Sequence, residues 1–526
     1  LGTTVIMPGA TLDVGGFQII HALYMPETFM VSGKGVDDKG AIVNNSAVDQ
    51  GNAFGKITLV GDTTFGGVSR WDLRANTPTL TMNGYNITKV GANYVMFYTT
   101  VVQPNGNGSV GNINVNAGYL RLEGWNNLNG SAANKLTIGS GAQLSMHNFP
   151  NLYPAVWTLA LMTNSTVIGS AGFGVGSNIW SGPVTLTGSA FLSAGYGCSA
   201  TFTNVLSGDG SVIKGDVGTV YLTSPTNAYT GATTVSNGTL YAKYPGSLPG
   251  YSDGRLTVAG GGTLAVSASD GNMGFTSEQI RDLNLNSSFK AVNALLSIDT
   301  ASASLAIPSD LTKLMGLAKQ GTNSLTLSGS NTNLGNVVVC AGLLSLSGSN
   351  VQQNGTCYLE GSAVSNAMLR ITSTGFLCSS NNFSIRTNGA CYLEGGTLIR
   401  QPDIADGETF GIGYSVGGYG YLKMSGGSLT TTRLYPGRDG VGVVRFSGGD
   451  ARINHHIHLG RSATAWGSIT IDGSATVSQP LAAAECFMAY EGGRADLNIA
   501  GGTFTRASSQ IDFGNTVGSS TSVVNL

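Results

Sequence analysis

Three times along this chain a lysine is followed eight residues later by an apolar residue and then, past a polar loop, by Gly-x-x-x-Val-x-x-Gly-x-Leu. The first copy is Lys89, Phe97, Gly111, Val115, Gly118, Leu120, and the second is Lys214, Leu222, Gly231, Val235, Gly238, Leu240. The third is Lys319, Leu327, Gly335, Val339, Gly342, Leu344. A unit this small cannot bury its apolar face alone, so such recurrence implies coils stacked into one quasi-one-dimensional body.

Composition agrees with strands joined by tight turns. Glycine is 78 of 526 residues and charged residues are 10 %, while Ser, Thr and Asn fill most other polar positions. Glycine supplies positive φ, Asn supplies turns and stacked amides, and Val, Thr and aromatics supply strands. Regular apolar alternation argues against disorder, which the low charge alone would permit. The net charge of −2 gives the chain as a whole no electrostatic reason to seek nucleic acid or anionic membrane. No stretch of about 18 apolar residues exists to span a bilayer, so membrane insertion is not expected. The chain opens on Leu1 with no basic segment followed by an apolar run, so any export signal is expected to be removed or to lie outside it.

Two regions are expected. Residues 1–350 form long, irregular solenoid units with strand candidates at 79–82, 112–116, 135–138, 184–187 and 219–223. Residues 276–283 interrupt them with a Thr-x-x-Gln capping-box spacing and a short helical run, read as a helical insertion. In residues 351–526, continuous with the first region, four units read Gly-x-Gly-x-Leu-x-x-x-Gly-Gly-x-Leu with variations. Their double-glycine positions fall at 426, 448, 473 and 501, spacings of 22, 25 and 28 residues. At about 24 residues per coil the chain would make roughly 22 coils, a rod on the order of 100 Å long. Leu422, Met424 and Leu429 are expected to point inward. The fold class is therefore all-β, a right-handed parallel β-helix.

The second copy, residues 214–222 followed by Asn227-Ala228-Tyr229-Thr230-Gly231-Ala232-Thr233-Thr234-Val235-Ser236-Asn237-Gly238-Thr239-Leu240, resembles the autotransporter-associated β-strand repeats of secreted and surface-anchored bacterial proteins. Residues 316–344 look like a divergent second example, and residues 61–74 look like the entry segment that precedes such repeats. The resemblance implies an extracellular β-helical scaffold on a bacterial surface and says little about activity. The resemblance leads one to expect a membrane β-barrel after the repeats, whereas the sequence closes on Val523-Val524-Asn525-Leu526.

Chemical candidates are few. His456 and His458 would share one strand face, a weak metal candidate with no carboxylate or cysteine at ligand spacing. Six cysteines, at 198, 340, 357, 378, 391 and 486, show no Cys-x-x-Cys spacing. Cys357 and Cys391 lie in matching strings and are expected to stack as a buried ladder if those strings occupy adjacent coils. Glu360 and Glu394 match in the same way, but solvated turns explain them better than a carboxylate pair. Asp37, Asp38, Asp403, Asp406, Asp472 and Asp496 are scattered, so no catalytic residue is assigned. Trp71, Trp125, Trp157, Trp180 and Trp466 are read as core or corner packing before a sugar-stacking face. No cofactor is called for.

The reading is a non-enzymatic extracellular structural protein of a bacterial cell surface that associates with itself end to end into a filament, sheath or stalk. Strand-like ends suggest Leu1, Val5, Val523, Val524 and Leu526 as polymer contacts. The alternative is an adhesin whose surface binds glycans, and a β-helical polysaccharide lyase or hydrolase ranks below both.

Overall fold

The strand ladders of both halves of the chain run parallel, each strand pairing with strands one coil away rather than with its sequence neighbours. The computed structural model describes residues 2–15, 27–104, 108–150, 154–172, 175–269, 273–313, 316–352, 355–400, 410–489, 491–508, 510–514 and 520–526. It divides into two compact units, Leu1–Thr257 and Val258–Leu526, each a parallel β-solenoid. Several expected strands are found almost to the residue, including Thr79–Thr81, Ile113–Val115, Lys135–Ile138, Val184–Leu186 and Thr219–Leu222.

In the first unit, strands Tyr94–Tyr98, Tyr119–Glu123, Gln143–His147 and Thr166–Ser170 stack in unbroken register. Alternation along each strand sends Val95, Leu120, Leu144 and Val167 inward, where all are buried. Rows of this kind, one residue per coil, form the core. Trp71, Trp157 and Trp180 fill it with no exposed surface, whereas Trp125 is exposed.

The lysines that open each repeat are part of that interior. Val115 is the in-register partner of Lys89, Val235 of Lys214 and Val339 of Lys319. Each ammonium turns into the corner that follows its strand and donates to three backbone carbonyls. Lys89 Nζ reaches Val90, Gly91 and Ala117 at 2.8, 2.9 and 3.0 Å. Lys214 reaches Gly215, Asp216 and Asn237 at 2.5, 2.7 and 3.0 Å. Lys319 reaches Gln320, Gly321 and Ala341 at 2.7, 2.7 and 2.9 Å. Two acceptors thus come from the lysine's own corner and the third from the next coil. Burial pushes Lys89 down to about 7 and Lys214 and Lys319 to about 8, while the carbonyl dipoles favour the charged form. The glycine after the third acceptor has φ of +61°, +61° and +65° at Gly118, Gly238 and Gly342, and backbone oxygens crowd the place of a Cβ. The motif is therefore one corner design, used in three different sheets.

In the second unit, Gly389, Gly420, Gly442, Gly467 and Ala495 stand in one row, so the spacings of 22, 25 and 28 residues between double glycines are coil lengths. The long strands Gly389–Arg400, Tyr419–Thr431 and Val441–Ile453 each bend at the double glycine, where their register shifts. At Gly427, φ is +83° and a Cβ would lie 2.0 Å from the Gly396 carbonyl oxygen. Leu422, Met424 and Leu429 are buried as expected. The helical insertion is the helix Ser277–Asn286. Thr276 Oγ1 accepts from Gln279 N at 3.3 Å and Gln279 Oε1 accepts from Thr276 N at 3.0 Å, the reciprocal cap anticipated from the spacing. Ile280 and Leu283 anchor it in the core.

One expectation is corrected. Cys357 pairs with Phe383, whereas Cys391 pairs with Leu369 and Leu422 in a different sheet, so their matching strings are not equivalent coil positions and no cysteine ladder forms. Both thiols are buried and free. Glu360 and Glu394 form no carboxylate pair, in line with the preferred reading; both are about half exposed and face Arg386 at 2.9 Å and Arg370 at 3.4 Å.

Candidate functional site

The outward face of the second unit carries a groove where small and large side chains alternate between coils. Strands Ala367–Ile371, Gly389–Arg400 and Tyr419–Thr431 place Met368, Ala390 and Tyr421 in one outward row and Arg370, Tyr392 and Lys423 in the next. Gly389 and Ala390 are too small to fill the level they occupy. The result is an open groove of about 250 Å³ lined by Asn366, Met368, Asn388, Tyr392, Tyr419 and Tyr421. The rings of Tyr392 and Tyr421 stand 6.1 Å apart at 71°, and Tyr419 is 48 % exposed.

Beside the tyrosines runs a basic row. Arg370, Tyr392, Lys423 and Arg445 are successive register partners, so their side chains leave the sheet at steps of about 4.8 Å. Arg370 sits 3.4 Å from Glu394 and Arg445 sits 2.8 Å from Asp472, both arginines about half exposed. Among the described residues Lys423 makes no ion pair. Burial raises the Tyr421 phenol above its ordinary value while the Arg445 charge pulls it back, so that phenol is a neutral donor. The groove thus offers aromatic faces and two amides, with three cations in the row beside it, two of them paired to carboxylates. Its neighbouring carboxylates, Glu394 and Asp472, are held by arginine. The aromatic residues and their alternation were visible in the sequence, but the grouping depends on a coil of 31 residues, from 389 to 420, that no repeat spacing announces.

The histidine candidates lie elsewhere in this unit. His458 belongs to the strand Ile457–Leu459, between the ring of Tyr435, stacked at 4.7 Å, and that of Phe487, edge-on at 5.0 Å. His456 precedes the strand, with its ring 5.4 Å from that of His458 and 3.7 Å from that of His455. The carboxylate missing from the sequence reading is present: Glu485, one coil later, places Oε2 3.1 Å from His456 Nδ1. Its position, 29 residues on, is close to the coil lengths of 22 to 28, and that period was the signal available for finding it. Burial, reinforced by the neighbouring histidines and by Arg433 and Arg461, lowers His456 to about 4 and His458 to about 3, so both rings are neutral.

Of the residues expected as polymer contacts, Val5, Val523, Val524 and Leu526 lie among the described residues. Val5 is 51 % exposed in the first unit, while Val523 is partly exposed and Leu526 is 94 % exposed in the second. Val524 pairs with Leu497. Leu1, Asp403 and Asp406 lie outside the described residues. Among the described residues no helix is long and apolar enough to cross a membrane, which does not bear on strands crossing as a barrel.

No family model matches the chain, and no solved structure matches it. Over 200 residues, 38 % of the chain, it is 29 % identical to a curated protein described as the adhesin BmaC autotransporter of Brucella suis biovar 1 (strain 1330). The matched stretch is 5 % of that relative's length. This similarity and the parallel solenoids fit the autotransporter-type β-helical resemblance carried by the lysine repeats.

Proposed function

We propose that this chain works as an adhesin-like, non-enzymatic β-helical element exposed at a bacterial surface, and that its tyrosine groove holds an anionic glycan. The observation that carries this reading is the pairing of Tyr392, Tyr419 and Tyr421 with the row Arg370, Lys423 and Arg445. Ring faces suit the apolar faces of sugars, amides suit hydroxyls, and cations repeated at strand spacing suit carboxylate or sulfate groups repeated along a chain. Similarity to a protein named as an autotransporter adhesin supports the surface location, and the arginine-held carboxylates support binding without turnover.

An array of sulfated, uronic and neutral glycans tests it. Sulfated or uronic chains are expected to bind, with loss of at least about tenfold on Tyr421→Ala or Lys423→Glu and weakening as salt rises. Equal retention of neutral chains, or indifference to both substitutions, refutes the groove assignment. Self-association through exposed apolar residues such as Val5 and Leu526 is a separate proposal. Sedimentation across a concentration series tests it, and a single monomeric species throughout would dismiss it.

A further inference from the structure

We infer that His456, His458 and Glu485 form a binding site for a divalent first-row transition cation of the zinc class. One ligand atom from each of the three residues lies within 4.8 Å of the other two. In a tetrahedral site with bonds of about 2.0–2.2 Å, neighbouring ligand atoms stand roughly 3.3 Å apart. His456 Nδ1 and Glu485 Oε2, at 3.1 Å, already meet that distance. The distances to His458 remain to be closed, by a turn of the His456 ring and of the Glu485 side chain, which is 49 % exposed.

Three features favour a cation over an incidental cluster. Glu485 Oε2 faces His456 Nδ1 at 3.1 Å, a separation that calls for a proton or a cation between the two atoms. The backbone N–H of Glu485 also lies 3.3 Å from that nitrogen, a long contact that a metal bond would replace. His458 is fixed between Tyr435 and Phe487, so one ligand is preorganised and little entropy is lost on binding. The donor set of two imidazoles and one carboxylate suits zinc and its neighbours rather than calcium or magnesium, and three protein ligands leave a fourth position open. Arg433 and Arg461 also act on these histidines and oppose a bare cation. They favour an anion, such as chloride or a ligand carboxylate, in the fourth position.

Titrating the purified protein with Zn²⁺ alone and with Co²⁺ tests the site. A single tight equivalent is expected, with the visible absorption of four-coordinate Co²⁺. Glu485→Gln, at an exposed position that leaves the fold intact, and His456→Ala should each weaken binding by at least the roughly 10–100-fold that even a supporting residue costs. An absence of saturable Co²⁺ absorption overturns the inference. So does binding that survives both substitutions, because the protein has only five histidines and the site would then lie among other ligands.

Discussion

Val235 stands in register over Lys214, and the lysine's ammonium passes it to reach the Asn237 carbonyl at 3.0 Å. That contact ties one coil's corner to the next. Lys214→Met keeps the apolar stem but leaves three corner carbonyls without their donor, so destabilisation of about 1–3 kcal/mol is expected. Hydrogen exchange should show lost protection across residues 212–242. Lys243→Met, at an exposed position, should stay within about 0.5 kcal/mol of the parent.

Acid should loosen the second unit around His458. Its folded value of about 3 and that of His456, about 4, lie below the ordinary 6.5, so the unfolded chain takes up protons that the folded chain refuses. Stability is therefore retained above about pH 6.5 and lost as pH falls towards 4 and then 3. The groups facing these rings are His455, Glu485, Arg433 and Arg461. Protection at Ile457–Leu459, after correction for the slower intrinsic exchange at low pH, should fall between pH 7 and 4.5. His458→Phe, which keeps the stack with Tyr435 and Phe487, should flatten that dependence.

Two glycines separate backbone strain from collision. Gly417 has φ of +70° and open space around a Cβ, whereas Gly427 has φ of +83° and the Gly396 oxygen 2.0 Å from that Cβ. Gly417→Ala should cost about 1–2 kcal/mol, the left-handed penalty alone. Gly427→Ala should cost distinctly more and lower the midpoint of chemical denaturation further.

In the first unit Asp72 has no exposed side-chain surface and accepts from Arg70 Nε at 2.6 Å and Arg70 Nη2 at 2.5 Å. Burial pushes its carboxyl up to about 6, although Arg70 and Arg74 pull the other way. Arg70→Ala, which leaves that carboxylate without its main partner, should cost about 3–5 kcal/mol. Adding Asp72→Asn should return part of the loss in a double-mutant cycle.

The lysine motif was legible in the sequence because each of its residues answers to one local demand. The lysine fills a corner, Val covers it from the next coil, Gly takes the left-handed turn and Leu faces inward. The helix at 277–286 was legible for the same reason, since Thr276 and Gln279 cap it within one turn. What crossed between coils was not. Cys357 and Cys391 share a local string but sit in different sheets, because coil length varies and similar strings can fall on different sides of the coil. Glu485 escaped for the same reason, being near His456 through stacking and not through spacing within a strand.

A chain that repeats its own core risks pairing with the wrong copy of itself during folding, since a strand shifted by a whole coil still buries valines and leucines. At three places an interior lysine makes that match more demanding. When the strand carrying Val115, Val235 or Val339 docks on the lysine, the third carbonyl arrives with it. A coil docked without that corner would enclose the lysine with part of its shell missing. Lys89, Lys214 and Lys319 therefore accept any copy of the corner as a neighbour and disfavour a plain strand.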